Sequence, residues 1–179
     1  YMPYLRAATD TPFGAMPYDG VKRISPYNKA STYATAIFPG DFVTLVTAGN
    51  VEVASTSQAL ILGVAAEYSA ASTAKTDFLV YDDPEQRYTI QDDSDTTGMT
   101  AASLGTNADI TVTAGNTTTL RSAHEIDSST AATTNTLALK IHALHPIEGG
   151  TFATTTGEWR KWVVSINSKQ LGGYETVGI

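Results

Sequence analysis

Asp82, Asp83 and Glu85, followed closely by Asp92, Asp93 and Asp95, form the densest run of chemically capable side chains in the sequence. Carboxylates in loops are hard oxygen ligands of the kind calcium takes. Asp93-Ser94-Asp95-Thr96-Thr97-Gly98 opens like an EF-hand loop, but Thr97 stands where the third oxygen-rich Asp or Asn belongs, and Leu104 occupies the closing Glu position. The pattern therefore favours solvated turn carboxylates over a structural cation. A glycosidase-like use of two of them would require a cleft and a set carboxylate separation, which sequence spacing does not supply.

His124, His142 and His145 raise the question of zinc. A spacing of three along a strand sends His142 and His145 to opposite faces, and Pro146 ends that strand, so surface or turn histidines are expected and no metal site is assigned. The chain has no Gly-x-Ser-x-Gly elbow, no P-loop and no Gly-x-Gly-x-x-Gly, and Ser128 and Ser129 have no evident base nearby in sequence. No catalytic residue and no cofactor is expected. Asn116-Thr117-Thr118 fits a glycosylation sequon, but reads most simply as a polar turn. Trp159 and Trp162 could stack a sugar, yet Trp162 shares the buried parity of Val164 and Ile166, which favours core packing.

The elements that must position these groups are strands. Thr is the most frequent residue type, no cysteine is present and hydrophobic residues make up 42% of the chain, so a packed, β-rich body without disulfides is expected. Phe42-Val43-Thr44-Leu45-Val46 and Val51-Glu52-Val53 flank the turn Ala48-Gly49-Asn50 as a hairpin. Leu60 to Ala65 is an apolar run of strand length, and Phe78–Tyr81 with Tyr88–Gln91 reads as a second hairpin. Loop dominates from Asp92 to about Asn135, with Ile110–Thr113 as its clearest strand. Leu137, Leu139 and Ile141 then alternate with Ala138, Lys140 and His142, as Trp162, Val164 and Ile166 do with Val163, Ser165 and Asn167. The expected fold is all-β, one β-sandwich or jelly-roll-like β-barrel domain over residues 37–179, with a Thr/Ala/Ser-rich loop region around 92–135.

Residues 1–36 read as an extended N-terminal arm, because Pro3, Pro12, Pro17 and Pro26 fall too often for a helix or a central strand. The arm also holds many large apolar bodies, which something must cover. It either packs on its own body or lies on another protein, and the two readings stand level at this point. In the second reading Tyr4, Arg6, Phe13, Met16, Tyr18, Lys22, Arg23 and Tyr27 are the candidate contacts, since aromatic, Met and Arg side chains are enriched at interfaces. That reading expects residues 1–33 to matter more for attachment than for folding.

The net charge of −7, from 18 acidic and 11 basic residues, argues against direct nucleic-acid binding. No apolar run reaches about 18 residues, and Tyr1-Met2-Pro3-Tyr4 lacks the layout of a signal peptide, so no membrane association is expected. An initiator methionine is not normally trimmed before so bulky a residue as Tyr1, and residues upstream of it are expected.

The stretch from Phe78 to Gln91, including Tyr81-Asp82-Asp83-Pro84-Glu85, together with Glu125 to Thr134 and Lys161-Trp162-Val163-Val164-Ser165-Ile166-Asn167, resembles structural proteins of tailed bacteriophages, in particular head decoration or cement proteins. The resemblance lies in general sequence character over about half the chain. It implies a non-enzymatic β-rich body on the outer capsid surface of a virion, commonly a homo-oligomer, a trimer among the options, tying neighbouring copies of the major capsid protein together. It carries over no catalytic or cofactor residues. The competing reading is a carbohydrate- or receptor-binding β-module of a phage fibre.

Overall fold

The computed structural model describes residues 9–58, 60–94, 98–146 and 159–171. The fold is nearly all β, a sandwich of two five-stranded antiparallel sheets. Its strands are β1 (Met16–Tyr18), β2 (Ser25–Lys29), β3 (Phe42–Leu45), β4 (Val51–Val53), β5 (Gly63–Ala65), β6 (Lys75–Tyr81), β7 (Arg87–Gln91), β8 (Asn107–Ala108), β9 (Ile110–Thr111), β10 (Glu125–Ile126), β11 (Leu139–Leu144) and β12 (Lys161–Ile166). The first sheet runs β1-β7-β12-β11-β8 and the second β2-β6-β5-β3-β4, while β9 and β10 form a separate ribbon.

Period-two patterning explains most of this arrangement. Trp162, Val164 and Ile166 of β12 join Leu139 and Ile141 of β11 and Tyr88 and Ile90 of β7 in the core between the sheets, where Phe42 and Val64 meet them from the second sheet. The alternate residues Val43, Ala65, Phe78 and Val80 point the other way into a second core with Ile37, Val51 and Leu62. A sheet buried on both faces reads as continuous apolar sequence, which is why β3 and β5 show no alternation. Asn28 bridges to Asn50, so the edge strands β2 and β4 approach one another and the second sheet curls around that core. Val163 is also buried, at 2% exposure, so β12 is covered on both faces there although its sequence alternates.

The β3–β4 hairpin forms with Val43 opposite Val53 and Leu45 opposite Val51. Gly49 takes φ +75° in its turn, a conformation that costs glycine little. The second expected hairpin does not form. β6 belongs to the second sheet and β7 to the first, and the chain crosses between sheets through residues 82–86. Asp82 and Gln86, both buried, are held there by side chains and backbone of the N-terminal segment, so the connection is a corner of the sandwich.

The N-terminal segment is extended, but it is built into the body. β1 pairs with β7 and β2 with β6, each at the edge of its sheet, where Pro17 and Pro26 can be tolerated. Ala15 lies in the first core, and Tyr27 and Tyr33 pack on the second. The described part of residues 1–33 therefore belongs to the fold: without β1 and β2 both sheets lose an edge.

Candidate interaction surface

Of the eight candidate contacts, Tyr4 and Arg6 lie outside the described residues. Arg23 and Tyr27 direct their polar atoms onto the buried Asp82. The Asp82 carboxylate, 2% exposed, accepts the Tyr27 hydroxyl at 2.7 Å, the Ser25 hydroxyl at 3.0 Å and the Arg23 Nε–H at 2.9 Å. These donors hold the Asp82 pKa below the usual carboxylate value against the opposing effect of burial. Lys22 donates its ammonium to the Glu85 carbonyl, and Gln86 donates from Nε2 to the carbonyls of Tyr18 and Gly20. Tyr18 itself meets His145 edge to face, with ring centroids 5.5 Å apart.

Phe13 and Met16 are placed differently. Together with Pro39, Thr119, Leu120 and Arg121 they line an open cleft of about 360 Å³. Met16 is 45% exposed and Leu120 44% exposed, although both are large apolar side chains. Isolated exposure of this kind is ordinary, but two such residues lining one concavity form a patch. Val21, at 53%, and Ile24, at 41%, add exposed apolar surface to the same segment.

Local structure makes the Leu120 wall firm. Asn116 accepts the amides of Thr118 and Thr119 on its side-chain oxygen, at 2.8 and 3.0 Å, and its own amide donates to the Arg121 carbonyl at 2.8 Å. This is the polar turn expected from Asn116-Thr117-Thr118. Gly115 lies so close to the Phe38 ring that a Cβ would come within 2.5 Å of it, and Ser122 donates its amide to the Pro39 carbonyl. Leu120 adopts φ +52°, a left-handed conformation that disfavours any residue with a Cβ by roughly 1–2 kcal/mol. A strained, exposed leucine on a braced loop is unfavourable on both counts, and strain of this kind concentrates where surfaces are used.

The opposite wall is anchored by a buried polar trio, Ser122, His124 and Asp41, all at most 2% exposed, of which only His124 stood out in the sequence. His124 accepts the Phe42 amide on Nδ1 at 3.2 Å, which places the ring proton on Nε2, 3.4 Å from Asp41 Oδ1. Burial pushes His124 down to about 4 and Asp41 up to about 6, so at neutral pH the imidazole is uncharged and the carboxylate ionised. Ser122 Oγ accepts the His124 amide at 3.0 Å and Asp41 Oδ2 the Phe38 amide at 2.8 Å, and among the described residues no hydrogen bond joins the Ser122 hydroxyl to the imidazole, so the trio is not wired as a hydrolytic triad. It fixes the crossing of the N-terminal segment: Ala15 donates its amide to the Gly40 carbonyl at 2.9 Å, and a Cβ on Gly14 would fall 2.4 Å from that of Ser122.

The acidic run is spent on structure where it is described. Asp92 accepts the Trp162 indole N–H, the Ser94 hydroxyl and the amides of Met99 and Arg160, while Asp93 accepts the Ser128 amide and hydroxyl and the Thr111 hydroxyl. Asp95 lies outside the described residues. Trp162 is 1% exposed and cannot stack a sugar; the core reading of that residue holds. Glu125, on β10, is buried beside Asp10, Asp92 and Asp93, and burial first, then these charges, push its carboxyl up to about 8.

The histidines do not converge on a metal. A register shift between Ile141 and Ala143 lets His142 bond Ser165 on the outer face of the first sheet, the face that also carries the Tyr18–His145 contact. The expectation of opposite faces is corrected, because the irregularity breaks strict alternation. His124 is a core residue, not a surface or turn one. Among the described residues no cluster of three or more His, Asp or Glu side chains is arranged to hold a metal ion.

No protein-family model, no curated protein and no solved structure matches the chain.

Proposed function

We propose that this chain is a structural protein of a tailed-bacteriophage virion, decorating and stabilising the outer capsid by binding across neighbouring major capsid subunits. The observation that carries the reading is the exposed apolar cleft between Met16 and Leu120 on the N-terminal face. A tie between subunits needs a firm body and a preformed contact surface, since a surface that does not have to be ordered on binding loses less affinity. Interlocked antiparallel sheets supply the first and the braced 116–121 loop the second. The acidic net charge keeps such a protein soluble at the high local concentration of a particle surface. The role is one of binding, with no catalytic step, and assembly on a closed shell multiplies weak contacts through avidity.

The test is cosedimentation of the purified chain with capsids assembled without it. Saturable binding that raises the temperature of capsid disruption supports the proposal. Failure to bind any capsid lattice, combined with glycan binding on an array, would move the assignment to a receptor-binding module.

A further inference from the structure

Among the described residues that line the Met16–Leu120 cleft only Arg121 is charged, and a second cation stands close by, with Lys161 Nζ 5.7 Å from the centre of the Phe13 ring. The Arg121 side chain is exposed, and among the described residues no hydrogen bond or ion pair engages its guanidinium. By contrast, Arg23 is committed to Asp82, and Lys22, Lys29, Lys75 and Lys140 each have carbonyl or carboxylate partners. A free guanidinium beside an apolar concavity is a specific local complement to an anion attached to an apolar body.

We propose that this cleft docks an extended segment of another protein, which seats one large apolar side chain among Phe13, Met16 and Leu120 and places a carboxylate on Arg121. Met16 belongs to β1, whose central Pro17 has no N–H to offer and whose preceding Ala15 amide is held by the Gly40 carbonyl, so the segment is gripped through its side chains and not by strand addition. A partner from a different chain fits better than a second copy, because two bodies of charge −7 repel one another. Leu120 is the specificity element: its left-handed backbone projects the side chain over the cleft at a position where glycine would be conformationally easier. The inference deepens the capsid-binding proposal and rests on it for the identity of the partner, but the chemistry of the cleft is tested separately.

The probes are 4-phenylbutyrate, 4-phenylbutanol and 4-phenylbutylamine, titrated into the isotopically labelled full chain while backbone amide resonances are followed. The carboxylate should shift the amides of residues 13–16 and 119–121 and bind at least five-fold more tightly than the alcohol, with the amine weakest. Arg121→Gln should cut the preference at least three-fold, with Lys161 beside Phe13 left to supply the remainder, while leaving the alcohol unchanged. Leu120→Gly, which relieves the left-handed strain and so should melt no lower than the parent, should weaken all three at least five-fold. Equal binding of amine and carboxylate, shifts centred elsewhere, or an unaltered preference in Arg121→Gln would overturn the inference. Sedimentation that shows self-association abolished by Leu120→Gly would overturn it as well, by making a second copy the occupant. Cosedimentation of Leu120→Gly with capsids separates the two proposals. Undiminished capsid binding sinks the cleft assignment and leaves decoration standing, whereas Arg121-dependent probe binding in a chain that no capsid retains does the reverse.

Discussion

The Trp162 indole N–H donates to Asp92 Oδ2 at 2.9 Å, with the tryptophan 1% exposed and the aspartate fully buried. The same carboxylate receives the Ser94 hydroxyl and two backbone amides, so one side chain ties β12 to the loop that follows β7. Trp162→Ala should destabilise the protein by about 3–5 kcal/mol, the usual range for a large aromatic removed from a core. Trp162→Phe, which keeps most of the volume but leaves Asp92 one donor short, should cost about 1–2 kcal/mol. Urea unfolding of both variants measures this, and equal losses would mean that the hydrogen bond, not packing, dominates.

Acid stability should depend on Asp82. Its pKa in the folded state lies below the ordinary value because Arg23, Tyr27 and Ser25 hydrogen-bond to it, so its contribution is fully present above the unfolded pKa of about 4 and is lost as the pH falls through the folded value. Asp82→Asn should lower stability at pH 7 by about 1–2 kcal/mol and narrow the gap from the parent below pH 4. A gap that stays constant from pH 7 to pH 3 would show that the charge on Asp82 is immaterial. Arg23 is 45% exposed and its ion pair is screened, so most of the effect should remain in an Arg23→Gln background.

Glu125 should act with the opposite sign. Its folded pKa of about 8 exceeds the unfolded value of about 4.5, so the protein gains most from this residue below pH 4.5 and loses that gain as the pH rises through 8. Glu125→Gln keeps the shape without the charge. It should raise stability at pH 8.5 by about 1–3 kcal/mol and change little at pH 4. Thermal unfolding across that range is the measurement, and a variant less stable than the parent at pH 8.5 would refute the prediction.

Much of the fold was legible because burial on one face leaves a period-two trace, as at Trp162, Val164 and Ile166. The β6–β7 error has a physical origin: a corner between sheets spans the same few residues as a hairpin loop, and only the inward bonds of Asp82 and Gln86 distinguish them. Those bonds come from residues 18–27, so they are invisible locally. The Met16–Leu120 cleft was half legible. Phe13 and Met16 stood out by residue type, but Leu120 and Arg121 sat in what looked like polar loop, and long-range contacts, Gly115 on Phe38 and the Ser122 amide on the Pro39 carbonyl, bring them to the same cleft. Lys29 was missed as well, a buried lysine that donates to the Ala70 and Thr73 carbonyls.

The N-terminal segment offers the sharpest test of how the body is closed. Gly14 takes φ +73°, and any Cβ there would lie 2.4 Å from Ser122 Cβ and 2.6 Å from the Gly40 carbonyl oxygen. Neither neighbour can yield easily, because Ser122 is tied to the His124 amide and the Pro39 carbonyl, and the Gly40 carbonyl holds the Ala15 amide. Gly14→Ala should therefore cost about 2–4 kcal/mol, combining left-handed strain with a steric clash. Gly20→Ala is the control: Gly20 also has positive φ, at +85°, but nothing lies within 4 Å of its added Cβ, so it should cost only about 1 kcal/mol. The two melting temperatures separate backbone strain from packing. Equal losses would mean that the Gly14–Ser122 contact relaxes freely, and that the N-terminal segment is held by its strand pairing alone.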